Sequence, residues 1–146
     1  MSKSHRLAWA AGFLDGDGFI TIQNRTTKYK DKVYTGHYLR VGACQANIVP
    51  LEELQKLFGG SIRPKNSGPN PDNYNRKPQW MWTLSTKEAS EALHQLLPFL
   101  VHKRQVALLA LDFQETMQAD KKSVTEELYA KRSQLKAEIT AINALS

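Results

Sequence analysis

LAWAAGFLDGDGFI, at residues 7–20, decides the fold of this chain. Apolar residues recur in it at helical spacing, and small residues line one side of the expected helix. Asp15 and Asp17 follow between glycines, which are common where a helix ends and the backbone takes unusual angles. The stretch therefore predicts a helix that allows close packing on one side and carries two carboxylates at its end.

Other motifs built from aspartate and glycine do not fit this stretch. An EF-hand loop beginning at Asp15 would need glycine where Ile20 stands and glutamate where Thr26 stands. A dinucleotide-binding turn needs a third glycine and a preceding strand, and the sequence offers neither. An ordinary helix end that happens to carry two acids stays open as an alternative.

The composition predicts one globular domain. The chain has 146 residues, and 41% of them are hydrophobic, which suffices for one core. We expect a single domain over residues 1–146, with a C-terminal helical segment at about 121–146. Cys44 is the single cysteine, so an internal disulfide and a cysteine-based zinc site are excluded.

Charge is distributed unevenly along the chain. Residues 1–87 hold 13 Lys and Arg against 6 Asp and Glu, whereas residues 88–146 hold 7 against 8. The basic excess of the first part is typical of a surface that binds a polyanion such as nucleic acid. The sequence shows no signal-peptide core and no apolar run of membrane-spanning length, which predicts a soluble intracellular protein without a membrane partner. A chloroplast, a mitochondrion, a phage-infected cell or a prokaryote would suit it equally.

Hydrophobic periodicity predicts an α/β (α+β) chain: a helix, two strands, a helix, two strands, and then helices. The first strand, residues 18–27, and the second strand, which ends near residue 45, form a hairpin with one apolar and one largely polar face. The polar turn between them is expected around residues 28–32. The other elements are expected at 50–58, 61–65, 79–85 and 86–97, then as an apolar run at 106–113 and a last helix opened by Ser123 and Glu126.

Residues 79–85 alternate without revealing which side faces the core. We expect Trp80, Trp82 and Leu84 to pack inside, because large aromatic side chains bury much apolar surface. Stacking of the tryptophans on nucleic acid is the alternative. Residues 66–78 are rich in Asn, Pro and Gly and predict a loop.

The segment AGFLDGDG, at residues 11–18, resembles the motif of the LAGLIDADG homing endonucleases, and the resemblance extends over most of the chain. It implies the αββαββα fold of that family, with a four-stranded antiparallel saddle-shaped sheet that lies along DNA. The motif occurs once here, as in family members that act as homodimers. The resemblance therefore implies a homodimer whose motif helices pack together at Ala8, Ala11 and Gly12.

The same resemblance implies a metal-dependent hydrolytic site. Asp17 would bind the metal directly, with the backbone carbonyl of Gly16 beside it, whereas Asp15 would support the helix end. Mg²⁺ is the expected ion, with Mn²⁺ accepted as well. Gln45 would order water near the metal, and Lys103 would stabilise charge on the phosphate. A shift of one residue would give the task of Lys103 to His102 or Arg104, and the sequence leaves that choice open.

Polar residues at alternate strand positions are the expected DNA contacts, together with two basic residues of the loop. Arginine and glutamine can make bidentate contacts with guanine and adenine edges respectively. The candidates are Thr21, Gln23, Arg25, Tyr38, Arg40, Ser61, Arg63, Lys65, Arg76 and Lys77.

The function implied is a site-specific endonuclease that cuts both strands of a long pseudo-palindromic DNA target, with double-stranded DNA and not a small molecule as its substrate. Two alternatives remain. A maturase or regulator on the same scaffold would bind DNA or RNA without cleaving it. An α/β dimer unrelated to nucleic acid would have negligible affinity for duplex even at low salt.

Overall fold

The computed structural model describes residues 2–65, 78–118 and 126–145, with only the backbone of Tyr34. These residues form five α-helices and four strands, with one short 3₁₀ turn at Leu97–Phe99. In chain order the elements are α1 Lys3–Asp17, β1 Gly18–Tyr29, β2 Lys32–Gln45, α2 Val49–Phe58, β3 Ser61–Lys65, β4 Gln79–Ser85, α3 Thr86–Leu96, α4 Arg104–Gln118 and α5 Glu126–Ala144. The predicted α+β architecture is confirmed.

Helix α1 begins at Lys3 and ends at the two acids, as the sequence predicts for its end. The Ser2 hydroxyl accepts a hydrogen bond from the His5 N–H at 3.2 Å and caps its first turn. The helix ends at Asp17, but the expectation that its glycines adopt unusual backbone angles is wrong. Gly18 is extended, with φ of −91°. It is required for space, because a Cβ there would lie 2.6 Å from Cδ2 of Leu14.

The four strands form one antiparallel sheet in the order β1-β2-β4-β3. The β1–β2 hairpin is longer than predicted, because the turn occupies only Lys30 and Asp31. Both residues have positive φ, 49° and 63°, as a two-residue turn between twisted strands requires. The hairpin therefore extends well beyond the part of the sheet that the helices cover.

One face of the sheet packs against the helices and forms the core. Ile20 and Ile22 of β1 are at most 5% exposed there, and Leu39, Val41 and Ala43 of β2 are fully buried. This side of the hairpin is the apolar one that alternation predicts. The opposite face carries the polar residues of the same strands.

The tryptophans of β4 belong to this core. Trp82 is fully buried and donates its indole N–H to the carbonyl of Gly59 at 2.8 Å, while Trp80 packs partly buried against the core. Gly59 and Gly60 end α2 with φ of 79° and 90°, a region that favours glycine. The predicted inward placement of Trp82 and Leu84 is confirmed.

Helix α5 packs on α4 and on the outer side of β1. The buried Arg132 donates to the hydroxyl and to the carbonyl of Thr116, at 3.1 and 2.7 Å, near the end of α4. Near the end of α5, Asn143 donates to the carbonyl of Ile20 at 3.0 Å. Ser123, the predicted cap of this helix, lies outside the described residues. Over the described ranges, no helix is both long and apolar enough to cross a bilayer.

Candidate active site and nucleic-acid interface

Asp15 connects the end of α1 to the turn that precedes α4. Its two carboxylate oxygens accept hydrogen bonds from the main-chain N–H groups of Val101, at 2.8 Å, and Lys103, at 2.9 Å. These N–H groups lie just before the first turn of α4, where helical partners are missing. The carboxylate thus stabilises the start of α4 from another helix, the supporting role that the resemblance implies.

Asp17 points the other way, into solvent, at the edge of the sheet. Its Oδ2 accepts a hydrogen bond from Nε2 of Gln45 at 3.0 Å. Because β2 runs antiparallel to β1, the end of β2 returns to the point where α1 stops. The structure therefore brings together Asp17 and Gln45, two residues that are 28 positions apart.

Lys103 reaches the same helix terminus. Its Nζ donates to the main-chain carbonyl of Asp15 at 2.8 Å, and its side chain is half-buried. Its neighbours His102 and Arg104 are exposed. Of these three adjacent cationic candidates, Lys103 is the one that the described contacts connect to the motif.

The donor set at this terminus suits a hard divalent cation. Asp17 supplies an exposed carboxylate, the ligand type that Mg²⁺ prefers. Across residues 2–65, 78–118 and 126–145, no three His, Cys, Asp or Glu side chains cluster as a ready metal site. Gly16 belongs to the last turn of α1, where carbonyl groups lose their helical partners. Among the described residues, this terminus therefore offers one carboxylate and one main-chain carbonyl as oxygen donors.

The polar face of the sheet carries a connected set of side chains. Oε1 of Gln23 accepts from the Tyr38 hydroxyl at 2.9 Å and from Nη1 of Arg40 at 3.3 Å. The guanidinium of Arg25 lies 4.7 Å from the centre of the Tyr38 ring. Adjacent strands hold these four residues side by side, as the register places Gln23 opposite Tyr38.

The arginines of this face have no acidic neighbours in the described structure. The ion pairs among the described residues all involve basic residues on helices, namely Arg6, Lys56 and Lys87. Arg25, Arg40 and Arg63 therefore present uncompensated positive charge, as a polyanion-binding surface requires.

These side chains line a concavity of about 440 Å³ on the polar face. Five predicted DNA contacts meet in it: Arg25, Tyr38, Arg40, Ser61 and Arg63. Lys65 follows in alternation on β3 and is exposed, whereas the Thr21 hydroxyl is buried and has no hydrogen-bond partner among the described residues. The predicted contacts Arg76 and Lys77 lie outside the described residues.

Comparison with known proteins places this arrangement in a family. Residues 10–119 match the LAGLIDADG endonuclease family. The chain belongs to that family. A comparison with curated protein sequences gave no significant match.

Solved structures of LAGLIDADG homing endonucleases share the fold. The homing endonuclease I-CvuI, in complex with an I-CreI target, is 23% identical, with a TM-score of 0.75 over 94% of this chain and 82% of that one. An archaeal intron-encoded homing endonuclease complexed with DNA is 15% identical, with a TM-score of 0.73 over 97% and 86% of the two chains. I-SmaMI, bound to an uncleaved DNA target, is 27% identical, with a TM-score of 0.59; the match covers 92% of this chain and 44% of that one.

For one residue of this LAGLIDADG chain, Ala11, the predicted place at a dimer interface is wrong. Ala11 is fully buried inside the subunit and packs in the core, so it has no surface to offer a second copy. Helical rotation puts Ala8, Gly12 and Gly16 on the exposed side instead. A Cβ added at Gly12 or Gly16 would meet nothing within 4 Å. The exposed small-residue side is therefore Ala8, Gly12 and Gly16.

Several residues that shape the polar face were not predicted from the sequence. Met81, Thr83 and Ser85 line the same concavity from β4, and the guanidinium of Arg40 lies 5.8 Å from the centre of the Phe19 ring. The alternation of β4 already separated Met81 and Thr83 from the tryptophans. Because Trp82 is buried, the same alternation places Met81 and Thr83 on the polar face.

The β1–β2 hairpin is held by α5 about halfway along its length, where Asn24 pairs with His37. His37 hydrogen-bonds through Nδ1 to Oδ1 of Asn24 at 2.8 Å and through Nε2 to the Ser133 hydroxyl at 3.4 Å. Its ring also stacks on Tyr129, with centroids 5.5 Å apart. Partial burial, and then the positive charges of Lys136 and Arg132, lower the pKa of His37 below its usual 6.5. The lowered pKa favours the neutral form of the imidazole that docks the hairpin on α5.

Proposed function

We propose that this chain is a homodimeric, divalent-metal-dependent homing endonuclease that cuts both strands of a long pseudo-palindromic DNA. The observation that carries the proposal is the convergence of Asp17, Gln45 and Lys103 at one helix terminus, next to an uncompensated basic sheet face. A carboxylate, an amide and an ammonium are the groups that hydrolysis of a phosphodiester requires there.

A second copy of the chain would complete the site. One exposed carboxylate is too little for a cation that takes about six oxygen ligands. In a two-fold dimer, Asp17 of each copy would meet at the axis, and phosphate oxygens of the DNA would add ligands. Mg²⁺ is the proposed ion, with Mn²⁺ as a substitute. The ion would lower the pKa of a bound water and neutralise charge on the phosphate.

The exposed small-residue side of α1 supports the dimer. Glycine inside a helix costs about 0.5–1 kcal/mol relative to alanine. Packing within the subunit does not require glycine at Gly12 or Gly16, because an added Cβ at either would meet nothing within 4 Å. Close approach of the same helix from a second copy supplies a reason for glycine there.

The residues of the chain divide the hydrolytic work. Gln45, which donates to Asp17, would orient the attacking water while holding the carboxylate in place. Lys103, fixed on the carbonyl of Asp15, would stabilise negative charge on the phosphate in the transition state. Asp15 would position Lys103 without touching substrate, because the start of α4 already occupies its oxygens.

The relatives support DNA as the substrate. I-CvuI and I-SmaMI are described in complex with DNA targets, and this chain shares their fold. The basic polar face would lie along the major groove, with strand side chains on the base edges. Each half of the target would contact one sheet, which is why a two-fold dimer expects a pseudo-palindrome.

Selection of cleaved duplexes from a random library with Mg²⁺ tests the function. The wild type should enrich a long pseudo-palindrome and cut both strands of it. Asp17→Asn should bind the same DNA without cutting it. Asp31→Asn is the matched control, since it makes the same chemical change at the exposed hairpin turn and should cut normally.

Three outcomes would contradict the proposal. Undiminished cleavage by Asp17→Asn would remove Asp17 from the metal site. Wild-type binding without nicking would favour the maturase or regulator. A lack of affinity for duplex even at low salt would exclude a nucleic-acid function altogether.

A further inference from the structure

Gln23 lies on the polar face, on the edge strand β1, and two donors occupy its side-chain oxygen. The Tyr38 hydroxyl lies 2.9 Å from Oε1, and Nη1 of Arg40 lies 3.3 Å from it. An amide oxygen has two lone pairs, so both of its acceptor positions are taken.

The orientation of this amide follows from the donors and acceptors that its neighbours offer. Oxygen and nitrogen of a glutamine side chain are easily interchanged in a structure, and the hydrogen-bond network has to decide between them. Arginine has five N–H donors and no acceptor, so the Gln23 atom that faces Arg40 must be the oxygen. The Tyr38 hydroxyl must then donate as well.

The amide nitrogen of Gln23 is left for a ligand. Within the described part of the chain it has no partner, and it is not among the buried polar atoms that lack one. The side chain therefore presents an NH₂ group, with two donors and no acceptor, on the face proposed to lie along DNA.

We propose that Gln23 is a specificity-determining residue that reads one base pair in each half of the target as a donor only. This inference rests on the proposed function and concerns the same DNA interface. In the major groove, guanine and thymine present a keto oxygen, whereas adenine and cytosine present an amino group in the corresponding place. A donor-only amide favours the keto base on the strand that it contacts, because the amino group of adenine or cytosine offers it no acceptor.

This differs from the contact expected from sequence. The bidentate pairing of glutamine with adenine needs the amide oxygen to accept from the adenine amino group. In this chain the amide oxygen of Gln23 already accepts hydrogen bonds from Tyr38 and Arg40. Adenine is therefore disfavoured at this position.

Arg40 is a positioning residue in this arrangement. Its Nη1 holds Gln23, its Nη2 lies 3.2 Å from the Met81 sulfur, and its guanidinium lies over the Phe19 ring. These contacts hold the guanidinium in place on the polar face. Arg40 thus sets which edge of Gln23 points toward the bases.

Gln23→Glu is the sharpest test, because it changes one donor group to an acceptor at nearly constant shape. One carboxylate oxygen would stay on Arg40 and Tyr38, and the other would point outward. Wild type and variant are each selected for binding on a duplex library with randomised positions. We expect one base pair per half-site to change from keto to amino preference, with roughly tenfold discrimination in each direction.

Gln79→Glu is the matched control. Gln79 is exposed on β4, so this variant measures the general effect of a new carboxylate on overall affinity. It should leave the preference at the Gln23 position unchanged. Circular dichroism of each variant confirms that the subunit is folded.

Arg40→Met provides a second, independent test. It removes the residue that compels the amide orientation and retains apolar packing. The amide can then turn, since a tyrosine hydroxyl both donates and accepts. Adenine should become accepted at the same base pair, and the preference there should fall to near onefold.

The outcomes separate this inference from the proposed function. If the wild type enriches a specific target and Gln23→Glu reverses the preference between keto and amino base at no position, the donor-only reading is wrong and the endonuclease proposal stands. If the wild type enriches no sequence at all, both proposals fail together.

Discussion

The end of α1 and the middle of the β1–β2 hairpin are held in different ways. At the end of α1, the carboxylate of Asp15 binds two main-chain N–H groups, and the ammonium of Lys103 binds a main-chain carbonyl. At the middle of the hairpin, side chains contact side chains, with the imidazole of His37 between Asn24 and Ser133.

This difference matches what each region would do. Groups that act on a phosphodiester have to be placed within a fraction of an ångström, and contacts to the main chain achieve this because the main chain moves little. A hairpin that lies along DNA has to adapt to it, and side-chain contacts allow that adjustment. The comparison leads to four predictions, from the largest expected effect to the smallest.

Gly12→Leu should abolish cleavage while leaving the subunit folded. The added side chain meets open space inside the subunit but would block the approach of a second α1. Analytical ultracentrifugation should show a monomer, and circular dichroism should show unchanged helix content. Gly36→Leu makes the same change at a second uncrowded glycine, on β2, and should remain dimeric. A dimeric, fully active Gly12→Leu would show that the end of α1 works without this interface.

Lys103→Met should lower the cleavage rate about a hundredfold with little change in binding, because it removes the cation that stabilises the transition state. Single-turnover cleavage at saturating protein measures this directly. His102→Gln and Arg104→Gln serve as controls and should cut within a few-fold of the wild type, since both side chains are exposed. A larger loss in either control would move the catalytic cation to that residue.

Asp15→Asn should destabilise the subunit by about 1–3 kcal/mol, because an amide nitrogen would face a main-chain N–H and leave it unpaired. Thermal unfolding measures the loss. Asp17→Asn, two residues away and exposed, should unfold close to the wild type. Equal unfolding temperatures for the two variants would contradict the assigned division between a supporting and a reacting acid.

Acid should loosen the contact between the middle of the hairpin and α5 before it affects the end of α1. The pKa of His37 is lowered in the folded state, so its neutral form stabilises the fold. That contribution is complete above the unfolded pKa of about 6.5 and is lost as pH falls through the lower folded value.

Hydrogen exchange of α5 between pH 7.5 and 5.5 measures this effect. Protection factors, which divide out the slower intrinsic exchange in acid, should fall toward acid in the wild type and fall less in His37→Gln. His94→Gln, an exposed histidine on α3, is the control and should follow the wild type. Identical pH profiles for wild type and His37→Gln would remove the titration of His37 from the docking of α5.

Local patterns predicted most of the fold. Alternation assigned the buried side of the hairpin correctly, from Ile20 to Ala43, because side chains in a strand point to opposite faces in turn. Small-residue spacing was less informative. It grouped Ala11 with Gly12 on one side of the helix. Consecutive residues of a helix point about 100° apart, however, and Ala11 lies in the core.

The sequence by itself determined the element order, the polar face of the sheet and the two acids at the end of a helix, because these depend on residue spacing alone. The tertiary structure decided which acid faces inward, which of three neighbouring cations reaches the motif, and which edge of Gln23 is free. Each of these depends on a partner far away in the chain. Its position follows from packing and strand register, which no local pattern records.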